Sequence, residues 1–172
     1  MPRRREPRWL TRRVLDVIHD AQIREHGGTP GVRDDGLLES ALARPRQKWT
    51  YAEKPDLATL AAAYVFGLVK NHGYVDGSKR VAFMAAYVFV GLNGYDLELD
   101  ETDVAATIER AAAGAVSEPA LAEWLRQKLK RLDSPVVRRQ RRQEAGPRRG
   151  RRARSASESP PPRPAGAPTG AE

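Results

Sequence analysis

An all-α domain of about six helices, followed by a long basic tail, is the architecture that this 172-residue chain predicts. Two observations carry the prediction. Large apolar residues recur at helical spacing in six successive stretches, separated by short turns rich in Gly, Pro and Asp. Beyond residue 132 the chain becomes Arg, Pro, Gly, Ala and Ser, with almost nothing large and apolar left to bury, so residues 133–172 are expected to be disordered. The length suits one domain with a real core, assigned here to residues 9–132 behind a disordered basic leader, residues 1–8.

Thr11 is a good N-cap for a first helix reaching about Glu25, with Val14, Leu15, Ile18 and Ala21 on one face and Gly27-Gly28 as its stop. Thr29-Pro30-Gly31 reads as a turn. Asp34 or Asp35 caps a second helix whose Leu37, Leu38, Ala41 and Leu42 face inward, and Pro45 is expected to end it. A connector carrying Trp49 and Tyr51 comes next. Asp56 caps a third helix along DLATLAAAYVFGLVKN, with Leu57, Leu60, Ala61, Tyr64, Val65 and Leu68 as its stripe. VAFMAAYVFVGLNG is apolar all round, which predicts a fourth helix at the centre of the bundle, ended by Asn93-Gly94. YDLEL is strand-like but short and is read as an extended link. Asp100 or Thr102 caps a fifth helix closed by Gly114, and Ser117 with Pro119 opens a sixth through Leu121, Trp124, Leu125 and Leu129. Tyr64, Phe66, Tyr87 and Phe89 are expected in the core, with Trp49, Tyr51 and Trp124 as core or connector anchors.

Composition narrows the function. Ten Arg and four acids give residues 133–172 a net charge of +6, and four Arg with one Glu give residues 1–8 a net +3. Against +8 for the whole chain, residues 9–132 carry −1, so the basic character belongs to the tails. With no cysteine there is no disulfide, thiolate metal site, Fe–S cluster or Cys nucleophile. The richest apolar run, Val81 to Leu92, falls short of the roughly 18 residues a membrane span needs. The amphipathic, charged segment after the basic leader is unlike the apolar centre of a secretory signal. A cytoplasmic, soluble protein is the expectation.

Reactive residue types concentrate in one place, His72-Gly73-Tyr74-Val75-Asp76-Gly77-Ser78-Lys79-Arg80, between two apolar helices. A helix starting near Ser78 presents free N–H groups and the positive end of its dipole, and Gly77 lets that backbone approach an anion closely. Lys79 and Arg80 add a point charge and a planar fork suited to phosphate oxygens. Asp76 is a hard oxygen ligand for Mg²⁺, and His72 is the best general base for a hydroxyl nucleophile. Each residue taken singly has a capping, turn or surface role available. A base, a carboxylate, a small-residue turn and two cations within nine residues have no shared packing purpose.

HGYVDGSKR resembles the active-site loop of the Fic/Doc (Fido) superfamily, and Lys79 in place of the second Gly usual in Fic proteins resembles the death-on-curing (Doc) branch. A second block, His19 to Gln47, is similar to the Doc N-terminal signature, in which a Gly-Gly-x-Pro-Gly turn precedes Asp-x-Gly-Leu-x-Glu-Ser-Ala. The resemblance implies a compact Fido-type helical fold and a toxin of a type II toxin-antitoxin module. Such a toxin uses ATP and Mg²⁺ to phosphorylate a threonine of elongation factor Tu, halting translation. It implies His72 as the base, Asp76 as the Mg²⁺ ligand, Gly77, Ser78, Lys79 and Arg80 as the phosphate cradle, and Tyr74 as the loop's anchor in the core. It also implies a cognate antitoxin bound helix-in-groove.

The chain departs from the pattern at Gly73, where Pro is common, at Tyr74, where Phe is usual, and at Ser78, where Asn is the rule. Ser78 still caps and donates, with shorter reach than Asn. AMP transfer to a hydroxyl side chain, and a catalytically silent module that binds antitoxin and nucleic acid, are the alternative readings; Lys79 argues against the first. His19, which matches the family block, is most simply a packed or surface helix histidine, with lining the site as the alternative, and His26 is read as a surface residue. The Arg-rich tail would hold nucleic acid only through phosphate contacts, or indirectly through the antitoxin.

Overall fold

The computed structural model describes residues 5–132; the tail at 133–172 and residues 1–4 lie outside the described residues. Among these, six helices and one two-stranded sheet are formed: α1 Arg12–His26, α2 Asp35–Tyr51, α3 Leu57–Asn71, α4 Ser78–Leu92, β1 Tyr95–Leu97, α5 Glu101–Ala112, α6 Glu118–Lys128 and β2 Leu129–Arg131. No described helix is long and apolar enough to cross a membrane.

Short polar side chains start five of the helices. Thr11 accepts from the Val14 N–H, Asp34 from Leu37, Asp56 from Thr59, Asp100 from Thr102 and Asp103, and Ser117 from Ala120. Each such cap supplies about 0.5–2 kcal/mol by pairing an N–H that the helix itself leaves free. Where two caps were open, the chain uses Asp34 and Asp100. α4 is the exception, since its N-cap is Gly77 and no side chain bonds its first turn.

The centre of the bundle is α3, not the all-apolar α4. Ala58 and the run from Leu60 to Val65 are buried, as are Gly67, Leu68 and Val69, and α3 packs against α2, α4 and α6. Small residues bring the backbones together: a Cβ on Gly67 would lie 3.0 Å from the Ala41 Cα of α2. α4 buries one face through Val81, Ala82, Ala85, Ala86, Phe89 and Val90 and leaves Tyr87 and Leu92 exposed. Tyr87 is therefore outside the core, and Phe66 is only partly buried. Tyr64 is fully buried against Phe89, ring centroids 4.9 Å apart, and its hydroxyl accepts from the Leu10 N–H at 3.1 Å. Ahead of Trp9, Arg8 exchanges two hydrogen bonds with Asn93.

Pro45 does not end α2. It sits inside the helix and is buried, and the helix runs on to Tyr51. An internal proline costs about 3 kcal/mol through a lost hydrogen bond and a clash with the carbonyl four residues back. Contacts of the second half offset it: Trp49 meets Trp9 edge-on at 6.3 Å, Lys48 lies 2.9 Å from buried Glu118, and Arg44 pairs with the same carboxylate. Trp49 thus belongs to a helix rather than a connector, and Tyr51 is exposed instead of an anchor. YDLEL is more than a link, because Tyr95, Asp96 and Leu97 pair antiparallel with Arg131, Lys130 and Leu129. α6 accordingly stops at Lys128, before Leu129.

Candidate active site

The loop between α3 and α4 is built by its neighbours. α3 ends on His72, which adopts the left-handed conformation (φ 48°, ψ 49°), one of two described non-glycine residues with positive φ. That geometry costs about 1–2 kcal/mol for a residue with a Cβ. It is held from both sides: Asn71 Nδ2 donates to Leu37 O at 2.9 Å, Arg33 Nη2 donates to Asn71 O, and Gly73 O accepts from the Arg33 and Asp34 N–H groups at 2.8 and 3.1 Å. The result leaves His72 exposed at the end of a rigid helix. Gly73 has a local cause, since a Cβ there would lie 2.6 Å from buried Leu38.

Tyr74 turns inward and is 2% exposed. Its ring stacks on that of His19 at 3.9 Å and 4°, and its hydroxyl donates to Asp16 Oδ1 at 2.7 Å, which also accepts from Arg12 Nε. Burial, reinforced by Asp16, pushes the Tyr74 hydroxyl far above its ordinary pKa, so it stays a donor. Val75 N–H bonds Gly31 O, and Val32 bridges Tyr74, so the turn after α1 lies along the loop as a short antiparallel neighbour.

The exposed Asp76 carboxylate faces that same turn. Its Oδ1 accepts from Gly77 N–H at 2.5 Å and its Oδ2 from Thr29 N–H at 3.3 Å. Gly28 makes the approach possible, because a Cβ on it would stand 2.5 Å from Asp76 Oδ2. Gly77 then turns the chain with φ 79° and α4 begins. The first-turn N–H groups of Ser78, Lys79 and Arg80 bond no side-chain cap, so the positive end of α4 is open beside a carboxylate. Ser78, expected to cap, is instead the buried first residue of the helix and makes no cap bond.

The two cations have neighbours of their own. Lys79 Nζ lies 2.7 Å from Glu109 Oε2 of α5, an exposed pair worth under about 1 kcal/mol and so readily exchanged for an anion. Arg80 reaches back to the C-terminal end of α1, Nη1 to Gln22 O at 3.3 Å and Nη2 to Gly27 O at 3.1 Å. That interaction suits a cation at the negative end of a helix, and it makes Arg80 a tie between α1 and α4.

Of the α1 face that backs the loop, the sequence offered only His19, as an alternative reading, and left out Arg12 and Asp16. Arg12, Asp16 and His19 succeed one another at spacings of four and three, one helical face, which was the available signal. His19 is 2% exposed, with Nε2 3.1 Å from Asp76 O, whereas His26 is exposed as expected. Glu109, the partner of Lys79, had no comparable signal.

A family profile described as Fic/DOC family matches residues 9–90, which carry α1 through most of α4 and the whole loop. Over 119 residues the chain is 32% identical to the "Protein kinase doc" of Escherichia phage P1, a match spanning 94% of that protein and 69% of this chain. The chain belongs to the Fic/Doc family. Within that family it is also 46% identical over 87 residues to the "Toxin Doc" of Mycolicibacterium smegmatis, covering 65% of that protein and 49% of this chain. It is thus a homologue of Fic/Doc proteins named a protein kinase and a toxin. Among the described residues no group of three His, Asp or Glu could hold a metal alone. Asp76 presents an exposed carboxylate beside the open end of α4, a hard oxygen donor of the type Mg²⁺ takes.

Proposed function

We propose that this chain is a Doc-type toxin kinase. It transfers the γ-phosphoryl group of ATP to a Ser or Thr hydroxyl of a translation protein resembling elongation factor Tu, in the cytoplasm, and a cognate antitoxin restrains it by laying a helix in a groove. The single observation that carries the reading is the loop itself: His72 exposed at one end, its N–H bonded to Leu68 O, and Asp76 beside the uncapped N-terminus of α4 at the other, its carboxylate accepting from the Gly77 and Thr29 N–H groups. The name of the phage relative supports kinase activity and hence ATP use.

The residues divide the work by chemistry. A ring nitrogen of His72 takes the proton of the substrate hydroxyl as its oxygen bonds to the γ-phosphorus and the bond to the β–γ bridging oxygen breaks, releasing ADP. General-base assistance of this kind contributes about 10²–10⁴-fold. Asp76 would hold Mg²⁺, which neutralises phosphate charge when bound. The free N–H groups of Ser78, Lys79 and Arg80 would receive phosphate oxygens, Gly77 would let that backbone approach them closely, and Lys79 would leave Glu109 to join them. Tyr74 anchors the loop from below. Positioning and charge neutralisation supply most of the acceleration in phosphoryl transfer, so a short loop on rigid helices suffices.

Expression of the chain without an antitoxin should arrest growth and protein synthesis, and His72→Ala or Asp76→Ala should abolish the arrest while leaving the helical circular dichroism intact. A folded variant at either position that remains fully toxic would overturn the assignment.

A further inference from the structure

We propose that His19 is a positioning residue for phosphoryl transfer: from α1 it holds the Asp76–Gly77 peptide, and through it the Asp76 carboxylate and the start of α4, in one orientation. What is being positioned rests on the kinase reading above; the restraint itself rests on geometry.

A carbonyl oxygen only accepts, so His19 Nε2 carries the proton and donates to Asp76 O across 3.1 Å. The other end of the same peptide plane, the Gly77 N–H, donates to Asp76 Oδ1 at 2.5 Å. One peptide is therefore gripped at both ends, by a buried ring from α1 and by the carboxylate that would carry the metal. Rotating that plane would swing the Gly77 N–H off the carboxylate and shift the φ 79° turn from which α4 starts. The ring has little freedom to let go: it is 2% exposed and stacked flat on Tyr74 at 3.9 Å, while Nδ1 faces the exposed Asp20 at 3.7 Å. The α1 face also wraps the turn itself, since a Cβ on Gly77 would lie 3.4 Å from Ile23 Cδ1 and 3.9 Å from His19 Cδ2. A core position that needed only volume would take an apolar side chain. This one spends a buried donor on the backbone of the loop, where a misplacement of about 1 Å costs about 10²-fold in rate.

Two variants separate donor from ring. His19→Phe keeps a flat apolar ring on Tyr74 and removes the donor; His19→Gln keeps an amide N–H in reach of Asp76 O and removes the ring. Two readouts are taken on the full chain: steady-state transfer of γ-label from ATP with Mg²⁺, resolved into kcat and KM, and hydrogen exchange of the Gly77 amide without nucleotide. His19→Phe should lower kcat about ten-fold or more and speed Gly77 exchange about five-fold, and His19→Gln should restore both to within about three-fold of wild type. Wild-type kcat and exchange in His19→Phe, or equal damage in both variants, would overturn the proposal. A wild type that transfers no label while the variants still divide in exchange would overturn the kinase reading and support the restraint.

Discussion

Gly28 offers the sharpest test of whether the turn after α1 is part of the site. With φ at +120° any side chain there is strained, and a Cβ would stand 2.5 Å from Asp76 Oδ2 and 3.1 Å from Ile23 Cδ1. Gly27, its neighbour, also has positive φ, at 76°, but a Cβ on it would meet nothing within 4 Å. Gly27→Ala therefore carries backbone strain alone, about 1–3 kcal/mol. Gly28→Ala carries similar strain and must also push the carboxylate away by about 0.5–1 Å, weakening the Thr29 N–H bond, worth about 1 kcal/mol. Both should lower Tm, Gly28→Ala by several degrees more. Their activities should diverge further: Gly27→Ala within about three-fold of wild type, Gly28→Ala down about 10²-fold because the displaced group is Asp76. The assay is label transfer from γ-labelled ATP at a temperature well below both melting transitions. Equal activities in the two folded variants would refute the claim that Gly28 exists to make room for Asp76.

Three further outcomes are expected. Tyr64→Phe strands the buried Leu10 N–H at a cost of about 1–3 kcal/mol and should lower Tm by about 3–10 °C, whereas Tyr87→Phe, at an exposed position, should be nearly neutral; equal effects would contradict the role given to the Tyr64 hydroxyl. Burial alone would raise the Asp56 carboxyl, but hydrogen bonds from Arg126 and Thr59 outweigh it and hold its pKa at about 2. That depressed carboxyl stabilises the fold at pH above about 4, and the contribution, about 1 kcal/mol at this half-exposed pair, is lost as pH falls towards 2. Asp56→Asn should flatten the acid limb of the stability curve between pH 4 and 2, as monitored by urea unfolding, and an unchanged limb would count against the pair. Glu109→Gln, which frees Lys79, should leave kcat within about two-fold and lower KM for ATP; a raised KM would mean that the ion pair orients Lys79 rather than competing for it.

Much of this molecule can be read from local chemistry. Helix starts were legible because a capping Thr, Asp or Ser acts within three residues of itself, and the reactive loop was legible because its residue types crowd into nine positions. What could not be read depends on partners distant in sequence. Pro45 breaks an isolated helix, and contacts with Trp9 and Glu118, distant in sequence, help α2 continue. Tyr95 to Leu97 is too short to stand as a strand until residues 129–131 arrive beside it. Apolar character all round marked α4 as central, yet α3, richer in Ala and Gly, is the one that three helices can approach closely. In the site, the local sequence marked Lys79 and Arg80 as cations at the start of α4, while their resting partners, Glu109 and the end of α1, come from elements 30 and more than 50 residues away. His19 opens the block similar to the Doc signature and shares a helical face with Arg12 and Asp16, but its contact with Asp76 spans 57 residues.

The central claim, phosphoryl transfer organised by the His72–Arg80 loop, is tested most directly by incubating the purified chain, beside His72→Ala, with a cell lysate and ATP labelled at either the γ- or the α-phosphate. The account predicts label on a translation protein from γ-labelled ATP alone, and none from His72→Ala. Label from α-labelled ATP would make the chain an AMP transferase and contradict the role given to Lys79, and no transfer from either, with the translation target present, would contradict the kinase assignment itself.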